Sequence, residues 1–137
     1  MIRAMNKSEK KFDMARFFRA LADRTRMRML NLLGDDEVCV CFLTEILNTN
    51  QPNISRHLAY LKKAGIVSSR RDGKWMHYRI INPPDPYATL VLSEVRSWLA
   101  QDKQMQRDRK RLVNVCCAPE LPIQLQGAPL PASLASV

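Results

Sequence analysis

The chain has 137 residues, a formal net charge of +9 and a sequence pI near 9.8, and 46% of its residues are hydrophobic. That length sets one domain with a short appendage, and the apolar share suffices for a core. No apolar run approaches the ~18 residues of a membrane span, and the N-terminal MIRAMNKSEKKFDMARFF lacks the continuous apolar stretch of a secretory signal. A cytoplasmic chain with no membrane partner is expected, its four cysteines reduced and serving as ligands, reactive thiols or core fillers rather than disulfides. The positive balance favours an anionic partner, nucleic acid ahead of a membrane surface.

In chain order, residues 12–22 place Phe12, Ala15, Phe18 or Leu21, and Ala22 at helical spacing. Asp23 is the expected N-cap of a second helix, RTRMRMLNLL, with Met27, Met29, Leu30 and Leu33 on its apolar face and Gly34 ending it. A short third helix is predicted over Phe42–Leu47. After the turn-rich NTNQP, a fourth helix carries Ile54, Leu58 and Leu61 at i, i+4, i+7, with Pro52 in its first turn and Lys62, Lys63 and Gly65 at its end. The period then changes: IVSSRRDGKWMHYRII reads as two strands around an Asp72-Gly73 hairpin loop. Beyond the NPPDP break, Asp85 and Pro86 start a single long helix from about Tyr87 to Leu112. The last twenty residues hold four prolines and one charged residue, Glu120, and read as a flexible tail. The expected organisation is a domain over residues 1–117 and a tail over 118–137.

A short helix, a tight turn, a second helix and a basic hairpin make a winged helix-turn-helix, mostly α with a β-hairpin wing. The second helix of such a pair enters the major groove by its first residues, here Gln51, Asn53, Ser55, Arg56 and His57. Gln and Asn suit adenine and Arg suits guanine. Between Pro52 and Asn82 seven basic residues stand against Asp72 alone, so +6 of the +9 lies there. Arg70, Arg71 and Lys74 at the hairpin tip suit phosphate or the minor groove. Operator DNA is therefore the expected partner. His57 and His77 are assigned to DNA contact or packing. The stripe Tyr87, Val91, Val95, Trp98 and Leu99 is wider than so small a core needs, which predicts a two-fold dimer through the first and last long helices.

EVCVCFL places Cys39 and Cys41 one residue apart in an apolar run. Positions i and i+2 of a regular helix do not share a face, so the sulfurs converge on one ion only where the segment is extended or unwound. Thiolates are soft ligands for thiophilic centres.

The segments LADRTRMRMLNLL, EVCVCFL, NQPNISRHLAYLKKAGIV and RRDGKWMHYRI, which lie within residues 17–81, together resemble the ArsR/SmtB family of metal-sensing repressors, closest to its arsenical-responsive members. The resemblance implies a homodimer, binding to an imperfect palindrome, and release of DNA when a metalloid binds. Its inducer site is the CVC pair, and the inducer is As(III), with Sb(III) or methylarsenite as alternatives. Such relatives often carry a third cysteine where this chain has Thr44. Cys116 and Cys117 then either supply a third thiolate or form a separate pair for a methylated arsenical. The competing functions are a thiol-dependent enzyme of arsenic metabolism and a ligand-independent DNA-binding regulator. The regulator with an inducer is the expected one, and no catalytic residue is assigned.

Overall fold

The computed structural model describes residues 11–116, 118 and 121–134. Among these, helices α1 (Met14–Leu21), α2 (Arg24–Leu33), α3 (Val40–Leu47), α4 (Gln51–Lys63), α5 (Pro86–Leu99) and α6 (Lys103–Cys116) surround strands β1 (Val38–Cys39), β2 (Val67–Asp72) and β3 (Trp75–Ile80). No helix among the described residues is long and apolar enough to cross a membrane.

Side-chain caps set the helix starts. Asp23 accepts from the Arg26 amide at 2.9 Å, Asn50 from the Asn53 amide at 2.8 Å, and Asp85 from the amides of Tyr87 and Ala88. Gly34 ends α2 at a positive φ of 53°. The core gathers Phe17, Met29, Leu30, Leu33, Phe42, Leu43, Ile46, Ile54, Leu58 and Leu61, all 1% exposed or less. The sheet is antiparallel in the order β1-β3-β2. Asp72 pairs with Trp75, so the hairpin loop is Gly73-Lys74, one residue beyond the expected Asp72-Gly73. Gly73 sits at φ +60° in the first loop position, where a II′-type turn wants glycine.

Two expectations for the C-terminal third differ from the structure. The long helix is broken at residues 100–102. Asp102 caps the new start by accepting from the Met105 amide at 3.1 Å, and α6 turns back onto α2. Met105, Asp108, Leu112 and Cys116 form its buried stripe. Within that stripe Asp108 accepts from Arg28 at 2.6 and 2.9 Å and from Gln104 at 2.8 Å. Burial pushes the Asp108 carboxyl up, but the hydrogen bonds from Arg28 and Gln104 and the charges of Arg28 and Arg111 together outweigh it and hold the carboxyl below its ordinary range.

The second difference is the expected tail, whose described part, 121–134, forms a strap with two 3-10 turns and buries Leu125, Ala128 and Leu134. Gln124 donates to Glu45 at 2.6 Å, and the Ser133 amide donates to Asp36 at 3.1 Å, with the Ser133 hydroxyl also bonded to Asp36. A Cβ placed on Gly127 would lie 3.9 Å from the Trp75 ring.

Candidate nucleic-acid interface and thiol site

Gln51, Ser55 and Arg56 are exposed on the leading turns of α4. Asn53 is half-buried and already engaged: its Oδ1 accepts from Arg56 Nη2 at 2.8 Å and its Nδ2 donates to Thr49 at 3.1 Å. Asn53 thus aims the Arg56 fork instead of presenting a whole amide edge. His57 faces α2 rather than solvent. Its Nδ1 lies 3.2 Å from Arg26 Nη1 and 3.9 Å from the Asp23 carboxylate. Arg26 is a hub that the sequence reading did not single out. It donates to the carbonyls of Ala20 and Arg19 at the end of α1 and stacks 4.3 Å over the Tyr60 ring of α4. The only signal for it in the sequence is its place three residues after a capping Asp.

On the wing, Arg71 and Lys74 are exposed at the tip, with Lys74 4.9 Å above the Trp75 ring. Arg70 is committed elsewhere: it grips Glu37 with contacts of 2.5 and 3.1 Å, which lowers the Glu37 pKa. Lys62 donates to Ser69 at 2.7 Å and fixes the end of α4 to the wing.

The thiols occupy a junction. Cys39 ends β1 and is the extended N-cap residue of α3, with φ −69° and ψ 140°. Cys41 lies in the first turn of α3. The strand-to-helix change brings the two sulfurs to 2.9 Å with no unwinding. Regular helical spacing would have held them apart; of the two expected routes to convergence, an extended or an unwound segment, the extended Cys39 supplies the first. The Cys41 thiol donates to the Cys39 sulfur, which lowers the Cys39 pKa to about 7 and raises that of Cys41. Cys39 is buried and Cys41 half-buried. Thr44 points its hydroxyl at the Val40 carbonyl, 3.1 Å away. Cys116 is buried at the end of α6, while Cys117 lies outside the described residues. Among the described residues no group of three His, Cys, Asp or Glu side chains is placed to hold a metal ion, so Cys116 does not join the pair in such a group.

Of the two roles expected for His77, DNA contact or packing, the second fits its position: it is only 3% exposed, and its Nε2 has no hydrogen-bond partner among the described residues. It sits directly opposite Cys39 in the β1–β3 ladder.

Residues 23–69, from the cap of α2 into β2, match the family model described as bacterial regulatory protein, arsR family. The arsenical resistance operon repressor of Escherichia coli K12 is 36% identical over 102 residues, covering 74% of this chain and 86% of that repressor. The arsenic resistance transcriptional regulator ArsR1 of Pseudomonas putida is 43% identical over 90 residues, covering 62% and 70% of the two chains. Among solved structures, the homodimeric winged helix-turn-helix DNA-binding domain of Mb0332 from Mycobacterium bovis, a possible ArsR-family regulator, superposes with a TM-score of 0.52 at 28% identity, covering 65% of this chain and 80% of that one. On the winged-helix architecture and these matches together, the chain belongs to the arsR family of bacterial regulatory proteins.

Proposed function

We propose that the protein is a cytoplasmic, homodimeric repressor that holds operator DNA and lets go when trivalent arsenic bonds to Cys39 and Cys41, with antimony or methylarsenite as alternative inducers. The observation that carries this reading is the 2.9 Å sulfur pair at the junction of β1 and α3. β1 hydrogen-bonds to the wing strand β3, and α3 packs on the reader helix α4. An atom bonded between the sulfurs must part them, and so shifts the end of β1 against the start of α3. Both DNA-contacting elements feel that shift. The ligand favours the shifted state by its differential affinity for it, and DNA favours the other by the same coupling.

The dimer reading rests on the apolar side chains α1 and α5 leave in solvent. Tyr87, Leu90 and Trp98 are 77%, 65% and 78% exposed, and Met14 and Phe18 are exposed beside them. A groove of about 240 Å³ between the two helices, lined by Phe12, Phe17, Ala88 and Val91, continues this face. Burial of such a face against a second copy sets two reader helices one DNA turn apart, ~34–36 Å, on a palindrome. Gln51, Ser55 and an Arg56 aimed by Asn53 read bases, and Arg71 and Lys74 grip phosphate.

The test is release of fluorescently labelled operator by arsenite, followed by anisotropy. Cys39→Ser and Cys41→Ser bind operator as the wild type does and fail to release it. If these two release normally while Cys116→Ser and Cys117→Ser do not, the inducer site is the C-terminal pair and the reading is wrong.

A further inference from the structure

Two thiolates leave the chemistry of trivalent arsenic incomplete. Arsenous acid carries three hydroxyls. When two thiols displace two of them, two S–As bonds form, two As–O bonds break and two waters leave with the thiol protons. Arsenic remains trivalent and keeps one hydroxyl. A third thiolate would remove that hydroxyl, but Thr44, three residues after Cys41, is no thiol and its own hydroxyl is spent on the Val40 carbonyl. No third ligating side chain groups with the pair among the described residues. The remaining hydroxyl therefore enters a buried site in need of a polar partner.

We propose that His77 is that partner, its Nε2 holding the hydroxyl left on arsenic bonded to Cys39 and Cys41. This rests on the thiol pair being the inducer site. Three independent features support it. His77 directly opposes Cys39 in an antiparallel ladder, which places their Cβ atoms on the same face about 4.5–5.5 Å apart. Nε2 is buried and unpartnered, in a protein interior where such atoms are rare. The strap passes near this site: it is bonded to Asp36 before β1 and to Glu45 one helical turn after Cys41, and its Gly127 comes close to the ring of Trp75, which shares the His77 face of β3. A hydroxyl both donates and accepts, so either neutral tautomer of His77 can serve it. The class of ligand selected is a trivalent arsenical that keeps a hydroxyl after two thiolates bind, which is inorganic arsenite. An arsenical with one carbon substituent fills its third position with that substituent and gains nothing from His77.

The experiment compares arsenite with phenylarsine oxide, which has no hydroxyl left once two thiolates bind. Affinity is measured by equilibrium dialysis and, separately, by operator release, in wild type, His77→Phe, His77→Gln and Cys39→Ser. His77→Phe should bind arsenite about tenfold more weakly and phenylarsine oxide as before, and retained phenylarsine binding also shows that the site is folded. His77→Gln, which keeps a hydrogen-bonding tip, should recover part of the arsenite affinity. Unchanged arsenite affinity in His77→Phe, or an equal loss for both ligands, overturns the role of His77. If Cys39→Ser binds both ligands like the wild type, the thiol site lies elsewhere and both readings fall.

Discussion

Replacement of Arg28 by Ala tests what holds α6 in place. Arg28 meets the Asp108 carboxylate with two bonds of 2.6 and 2.9 Å, and Asp108 is 0% exposed. Removal of the guanidinium leaves a buried carboxylate with Gln104, at 2.8 Å, as its remaining side-chain donor among the described residues. Breaking a buried pair in this way costs about 3–5 kcal/mol. For a chain of this size that corresponds to a fall in Tm of roughly 10–20 °C. The assay is urea unfolding followed by circular dichroism, at one fixed protomer concentration because a dimer's stability depends on it. A double change, Arg28→Met with Asp108→Leu, removes both charges and should recover most of the loss. The pH dependence has a definite sign. The folded pKa of Asp108 is lowered, so the pair's contribution is complete above the unfolded carboxyl value of about 3.9 and disappears as pH falls through the folded value. A loss below about 1 kcal/mol in Arg28→Ala, or no recovery in the double variant, would refute the view that this pair docks α6.

Arg56→Ala should cost ~1–3 kcal/mol on the operator and little on random DNA, whereas Lys74→Ala should weaken both alike and reduce the salt slope by about 1; competition binding over a salt series separates them. Asn53→Ala should reproduce part of the Arg56 effect, since Asn53 orients that side chain. Trp98→Glu, on the most exposed apolar residue of α5, should give monomers in sedimentation at micromolar concentration, with operator affinity falling alongside. The thiolate absorbance that Cys39→Ser removes should titrate with a midpoint about 7 and move up, toward the ordinary thiol value of about 8.5, in Cys41→Ala; a midpoint indifferent to Cys41 would show that the sulfur–sulfur hydrogen bond does not set it.

The first two-thirds of the fold is legible because its signals are local. Asp23, Asn50 and Asp85 are capping residues in front of apolar periodicity, and RRDGKW is a turn between alternating runs. What escapes is non-local. A stripe of Met105, Asp108, Leu112 and Cys116 does not look buried until Arg28, eighty residues earlier, neutralises its aspartate. A Pro-rich, nearly uncharged stretch resembles a tail because its anchors, Asp36 and Glu45, lie far away in sequence. The CVC spacing alone leaves open whether the sulfurs meet through an extended or an unwound segment, and only the strand-to-helix boundary at Cys39 decides for the first. His57 and His77 lie among basic residues in sequence, but each turns inward, one toward Arg26 and the other beside Cys39.

The strap's bond between Asp36 and Ser133 joins positions 97 residues apart. Chains are made from the N-terminus and domains begin to fold as they emerge, and a contact this distant in sequence closes at a higher entropic cost than the local contacts of the helices and hairpin. The helix-turn-helix and its wing are complete in sequence by residue 80, while the strap's two turns begin only at Ile123 and Ala132. A newborn chain therefore passes through a stage in which the wing exists and the strap has not yet bonded to Asp36 and Glu45, the positions that bracket Cys39 and Cys41 in sequence.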